Sequence, residues 1–295
     1  TMRYTWLLTA LLHSSLVFAS ADTRFQQLLD EHWSFTRQEK AGFRSDPDGW
    51  RLGGKLASAT AQARDRRQDF NEDVLAQLAS IDPVSLSKEN QVSYKVFLFE
   101  RETERESYGQ LDHLYPITNR AGWHLSVATA PAGMTFSTVK DYEDYLISLT
   151  DFPRYNEEHI ALLREAIERG HTQFCASMAG FEKSIASELV SDVEDSGFYK
   201  PLATMPASFS SDTRKDLDLR GRLLIAEAGI PAYRDFLAFY LEEYAPRCRT
   251  VEGVTALPGG EDYYAYLLRY FTTTDMSAKE IHDLEPNIKP FYHGG

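Results

Sequence analysis

Thr138-Val-Lys-Asp-Tyr-Glu-Asp-Tyr-Leu-Ile-Ser-Leu149 carries both a helix start and a helix period. Thr138 and Asp141 have the spacing of a capping box, in which each side chain accepts the other residue's otherwise unpaired backbone N–H. Tyr142, Tyr145, Leu146 and Leu149 then fall at i, i+3, i+4 and i+7, one face of a 3.6-residue repeat. Pro153 ends this helix or starts the next. Ile160, Leu163 and Ile167 mark another helix, running to about Arg169-Gly170.

The pattern recurs in both directions. Upstream, Phe25, Leu28, Leu29, His32 and Trp33 predict a helix over about 23–40. Phe70, Val74 and Leu78 predict one over about 57–81, stopped by Asp82-Pro83. Val92, Val96 and Phe99 form the stripe of a third, over about 88–111. The charged run from Glu100 to Glu106 reads as its solvated face, with i,i+4 pairing. Residues 112–136, punctuated by Pro116, Gly122, Pro131 and Gly133, read as a long structured loop. Downstream, Phe181, Ile185, Leu189 and Val190 mark a further helix, and 197–211 a loop with Pro201 and Pro206. A helix over 212–228, a break at Gly229-Ile-Pro231 and a helix over 232–244 follow, the last with Leu237, Tyr240, Leu241 and Tyr244 on one face. Pro258-Gly259-Gly260 breaks the chain before the stripe Tyr264, Leu267, Leu268, Phe271, and Ser277-x-x-Glu280 is a capping box opening a final helix. With no convincing strand set and no internal repeat, the class is all-α and multi-helical.

Thirty-one basic against 44 acidic residues leave a net charge of −13. That balance argues against a nucleic-acid partner, because neutralising phosphates needs a basic face. Residues 1–21 read as a secretory signal peptide. Arg3 supplies the positive start, Leu7 to Phe18 the apolar run, and Ala19-Ser20-Ala21 the small-x-small cleavage site before Asp22. The apolar run is too short for a convincing membrane span, and nothing later approaches one. The expectation is therefore an exported, periplasmic or extracellular chain with no membrane span after cleavage. Cys175 and Cys248 are too few for a disulfide framework; they form one bridge or stay as two isolated small apolar side chains.

The scan for chemistry returns no nucleophile elbow, P-loop, dinucleotide fingerprint or HExxH pair. His159 follows Glu157 and Glu158, but its i+4 residue is Leu163, so a surface role is expected. His282, two residues after Glu280, fits no metal spacing. A serine or cysteine hydrolase is disfavoured because Cys175 has no local signature around it. Two segments are dense in aromatic and polar residues: Asn119-Arg-Ala-Gly-Trp-His124, and Pro258-Gly-Gly-Glu-Asp-Tyr-Tyr264 with Arg269. The second reads either as a well-capped core helix or as a substrate-facing rim. In the latter, Tyr263, Tyr264 and Arg269 are the candidate substrate-binding residues, since Tyr and Arg give contact area with a polar handle.

Leu257-Pro-Gly-Gly-Glu-Asp-Tyr-Tyr-Ala-Tyr-Leu-Leu-Arg269 and Thr272-Thr-Thr-Asp-Met-Ser-Ala-Lys-Glu-Ile-His282 resemble the bacterial domain-of-unknown-function 885 family. So do Asp141-Tyr-Glu-Asp-Tyr-Leu146 with Phe152-Pro153, Gly197-Phe-Tyr-Lys-Pro201 and Glu243-Tyr-Ala-Pro246. The resemblance implies an exported, helical protein whose members are typically about twice this length. Their second half carries an HExxH-type motif that makes them look like zinc metallopeptidases of the thimet-oligopeptidase kind. It thus implies that 22–284 is the N-terminal part of the family domain. Pro286 and Pro290 cannot continue the helix that Ser277 opens, so 285–295 is expected to be an atypical tail on a truncated or frame-shifted member. Zinc is expected in the longer relatives; no catalytic or metal-binding residue, and no cofactor, is assigned in this chain. Two functions follow: a peptidase-like protein inactive alone, with peptides as its partners, or a non-catalytic exported helical binding or scaffold protein.

Overall fold

The computed structural model describes residues 20–39, 54–110 and 112–284. Nearly all of the expected signal peptide and the whole expected tail lie outside them. Ten α-helices are present among the described residues: α1 Ala21–Glu39, α2 Ala61–Ala79, α3 Lys88–Gly109, α4 Trp123–Gly133, α5 Val139–Glu168, α6 Glu182–Ala186, α7 Lys200–Ala203, α8 Ser211–Leu224, α9 Ile230–Phe239 and α10 Gly260–Thr272. Residues 278–284 add a last helical stretch behind the Ser277–Glu280 box. Extended pairing is limited there to two isolated bridges, Ile117 with Gly122 and Phe174 with Arg249. The fold is all-α.

The Thr138–Asp141 capping box forms as the sequence predicts. Pro153, however, neither ends nor starts a helix: α5 runs through it for 30 residues, about 45 Å at 1.5 Å per residue. A proline inside a helix costs about 3 kcal/mol through its missing N–H and its ring. Burial on both sides offsets that cost, since Leu149 and Phe152 before it and Asn156, Ile160 and Leu163 after it are all buried. The 54–60 segment lies along this rod. Asp151 accepts the Leu56 N–H at 2.8 Å, Arg154 donates to the Leu56 carbonyl at 2.8 Å, and Glu158 accepts the Ala59 N–H at 2.8 Å.

The expected break at Gly229-Ile-Pro231 is also absent. Residues 211–247 are continuously helical, with π turns at Ile225–Gly229 and Tyr240–Tyr244. Each π turn is closed by the N–H of the residue just before a proline, Ile230 before Pro231 and Ala245 before Pro246. The wider turn makes room for a ring that would otherwise strike the carbonyl four residues back. On this rod Tyr233, Phe236, Tyr240 and Tyr244 are buried, while Leu241 faces out.

Two cores result. A small one joins α1, α2 and α3 through Phe25, Leu28, Val74, Leu78, Tyr94 and Phe97. The large one gathers α4 to α9 around Trp123, Tyr145, Leu149, Phe152, Tyr233 and Phe236. On α3 the predicted faces are exchanged: Val92 is 64% exposed while Arg101, from the expected solvated run, is 8% exposed. Tyr94, Phe97 and Arg101 share the inward stripe, which buries more surface than the two valines offer. The Arg101 guanidinium lies 5.3 Å over Phe97 and hydrogen-bonds Asn71 and Glu104. The expected loop over 112–136 contains α4, whose Trp123 and His124 are buried.

Candidate functional site

A cavity of about 220 Å³ opens where the end of α3 meets the entry to α10, lined by Gly109, Gln110, Tyr115, His171, Leu257 to Gly260, Asp262 and Tyr263. The Pro258-Gly-Gly260 turn builds one wall. Gly259 sits at φ +67, which a side chain would strain, and a Cβ on Gly260 would lie 2.1 Å from the Val254 carbonyl oxygen. Only the glycine pair lets α10 start so close to the preceding chain.

The opposite wall is aromatic. The Tyr115 and Tyr263 rings lie 6.0 Å apart and within 14° of parallel. The row continues along α10, with Tyr263 to Tyr266 at 6.2 Å and Tyr266 to the exposed Tyr270 at 6.1 Å. The Asp112 carboxylate stands near the hydroxyls of Tyr263 and Tyr266 and helps to keep both protonated. Burial pushes the Tyr115 hydroxyl up to about 12 against the opposing charge of Arg249, and burial with Asp112 beside it takes Tyr266 to about 12. Burial and Asp112 raise Tyr263 further. His171, hydrogen-bonded through Nδ1 to the Tyr115 hydroxyl at 2.8 Å, is pushed below its ordinary pKa by burial and then by Arg169. At neutral pH the wall therefore consists of uncharged phenols and an uncharged imidazole.

The 171–175 segment is fastened from several sides. Thr172 donates to the Arg247 carbonyl at 2.9 Å, and Gln173 donates from its backbone N–H to the Tyr244 hydroxyl at 3.0 Å and from its side chain to the Ile117 carbonyl at 2.8 Å. Arg249 N–H donates to the Gln173 carbonyl, and Cys175 N–H to that of Arg249. Cys175 and Cys248, left open by the sequence, are joined, with their Cα atoms 5.1 Å apart. Closing a loop of 73 residues contributes about 4 kcal/mol in the chain-entropy account. The pairing also leaves no cysteine thiol for nucleophilic chemistry.

Of the three predicted substrate-binding residues, Tyr263 lines the cavity. Tyr264 is 38% exposed on the adjoining flank of α10, and Arg269 reaches α3 to pair with Glu106. The three do not converge on one point. Tyr115 and His171 went unmarked in the sequence; they stand 56 residues apart, and no spacing rule joins them. In the other dense segment, Asn119 and Arg120 form an exposed turn while Trp123 and His124 enter the large core. His159 is not on the surface as expected: it is half-buried, stacked on Trp123 at 4.9 Å, with its Nδ1–H donated to the Tyr155 carbonyl. His124 reaches Ser184 Oγ at 2.9 Å, but Ser184 donates to the Phe181 carbonyl, so Nε2–H is the donor in this pair. With its pKa lowered to about 4 by burial, that imidazole is a poor base for a serine nucleophile.

The model of a family of bacterial proteins of unknown function, DUF885, matches residues 37–285. The chain belongs to that family. A crystal structure of a presumed lipoprotein from Colwellia psychrerythraea superposes with a TM-score of 0.72 at 15% identity, covering 90% of this chain and 48% of that one. At that identity the likeness concerns the fold alone. The chain spans about half the length of this solved structure. No curated protein matches. For this DUF885 member, no three His, Cys, Asp or Glu side chains gather as a metal site would require among the described residues. Those residues offer no ligand set for zinc. Nor is any described helix long and apolar enough to cross a membrane.

Proposed function

We propose that this chain is the helical, substrate-contacting part of an exported peptidase-like protein, and that the cavity beside Tyr263 holds part of a peptide. The observation that carries the reading is the stacked Tyr115–Tyr263 wall, from which a row of rings runs out to the exposed Tyr270. Tyrosine rings offer flat contact area with hydroxyls at their edges, which suits a chain of alternating amides and side chains. The small-x-small motif at 19–21 and the Cys175–Cys248 bridge support export, since disulfides persist in oxidising compartments.

A non-catalytic exported binding or scaffold protein is the second reading. Its support is the large core, closed on itself from α4 to α9 and bridged by the disulfide. Both readings use the cavity, and they part on hydrolysis. Calorimetric titration of the full chain with a set of short peptides tests the shared part: binding is expected, and Tyr263→Ala is expected to weaken it about tenfold or more. Equal affinity in Tyr263→Ala would remove the cavity from the account. Peptide cleavage by this chain that a chelator abolishes would contradict its assignment as a contacting part without a metal site.

A further inference from the structure

Helix α3 leaves an apolar stripe exposed. Val92, Val96 and Phe99 are 64%, 54% and 46% exposed. With Thr103 they fall at i, i+4, i+7 and i+11, one line along the helix. Thr103 gives its hydroxyl to the Phe99 carbonyl at 2.7 Å, so it adds no unpaired donor to that line. Single exposed apolar residues are ordinary, whereas several in register on one helix mark a surface for a partner. The residues beside the stripe have a charge order. On one flank Lys88 and Lys95 come first and Glu102 and Glu106 last, all four exposed. On the other flank Glu89 and Glu100 alternate with Ser93 and Ser107. A second α3 laid antiparallel matches both flanks. With Val96 of one copy opposite Phe99 of the other, Val92 meets Thr103 and Lys95 comes within a turn of Glu102. Lys88 then lies towards Glu106, which also holds Arg269. On the far side Glu89 and Glu100 face serines, so no like charges meet. A parallel pair keeps a single attractive contact, Lys95 with Glu100, and sets the two helix dipoles alike.

We propose that α3 docks a second copy of this chain through this stripe, antiparallel and about a two-fold axis. Val96 and Phe99 form the centre of the contact, and a Lys95–Glu102 pair flanks it on each side of the axis. The 22 residues of α3 give a contact about 33 Å long. One helix face of that length lies at the low end of specific interfaces, so the dimer is a weak one, with a Kd of about 10–100 µM. It goes beyond the peptide function proposed above and does not rest on it.

The test is sedimentation equilibrium of the full chain from about 5 to 500 µM, a range that brackets the expected Kd. A reversible monomer–dimer equilibrium is expected, weakening as salt rises. Val96→Glu, at a position the core does not use, is expected to weaken it at least about thirtyfold, because two carboxylates would be buried unpaired. Lys95→Glu and Glu102→Lys are each expected to weaken it about tenfold alone. An equimolar mixture of those two variants is expected to return to within about twofold of the native chain, since only unlike copies then set opposite charges against each other. Helical circular dichroism equal to that of the native chain shows that each variant is folded. A chain that stays monomeric throughout the range overturns the proposal and leaves the stripe to a different protein. A dimer indifferent to Val96→Glu uses another face, which also overturns it. A dimer that Val96→Glu abolishes but mixing does not recover overturns the antiparallel pairing.

Discussion

Two tyrosine-rich helices of this molecule meet opposite fates. On the rod through α9, Tyr233 donates to the His124 carbonyl at 2.7 Å, Tyr240 to that of Met178, and Tyr244 accepts the Gln173 N–H. All three are buried, and each hydroxyl has a backbone partner. On α10, Tyr264, Tyr270 and Phe271 are exposed, and Tyr263 stands at a cavity. Both helices show strong helical stripes in the sequence. What separates them is the surroundings: other helices close over α9, whereas α10 is held by its glycine turn, by buried Tyr266 and by the Arg269–Glu106 pair. One helix uses its rings to build the core, and the other displays them.

The sharpest way to break this contrast is to truncate one ring on each side. Phe236→Ala, inside the large core, is expected to cost about 3–5 kcal/mol in urea unfolding. Phe271→Ala, at a side chain 75% exposed, is expected to stay within about 0.5 kcal/mol. Similar losses at both would mean that α10 is covered after all. The disulfide fastens the end of the rod to the segment that carries His171. Replacing both cysteines by serine is expected to lower stability by about 4 kcal/mol, with the α10 variants adding independently.

Acid bears on the buried side. His124 has a folded pKa of about 4, against about 6.5 in an unfolded chain. Between those values the unfolded chain binds a proton that the folded one refuses, so stability falls as pH falls from 6.5 towards 4. The loss reaches up to about 3 kcal/mol. Chemical denaturation across that window should show the slope in the native chain and a flatter one in His124→Phe. The smallest contrast concerns single hydroxyls. Tyr244→Phe strands the Gln173 N–H and is expected to cost about 1–3 kcal/mol. Tyr264→Phe should change stability by less than about 0.5 kcal/mol.

Local rules read well wherever local forces decide. The Thr138 box, the Asp82-Pro83 stop and the stripe at Tyr142, Tyr145, Leu146 and Leu149 are all present as the sequence predicts. They failed where packing outweighs propensity. Pro153 sits inside a helix buried on both sides of it, and Pro231 and Pro246 each follow a π turn that makes room for the ring. On α3 the two valines and Phe99 form the more apolar stripe, yet Tyr94, Phe97 and the stem of Arg101 bury together in its place. Of the cavity, the glycine turn and Tyr263 were visible. Tyr115 and His171 were not, because tertiary contacts bring them together.

Hydrogen exchange of the full chain, with and without a bound short peptide, tests the central claim most directly. The account predicts that added protection is confined to 109–115, 171–175 and 257–271, with 225–244 unchanged. Protection centred on His124 and Ser184, or spread evenly over the rod, would contradict it.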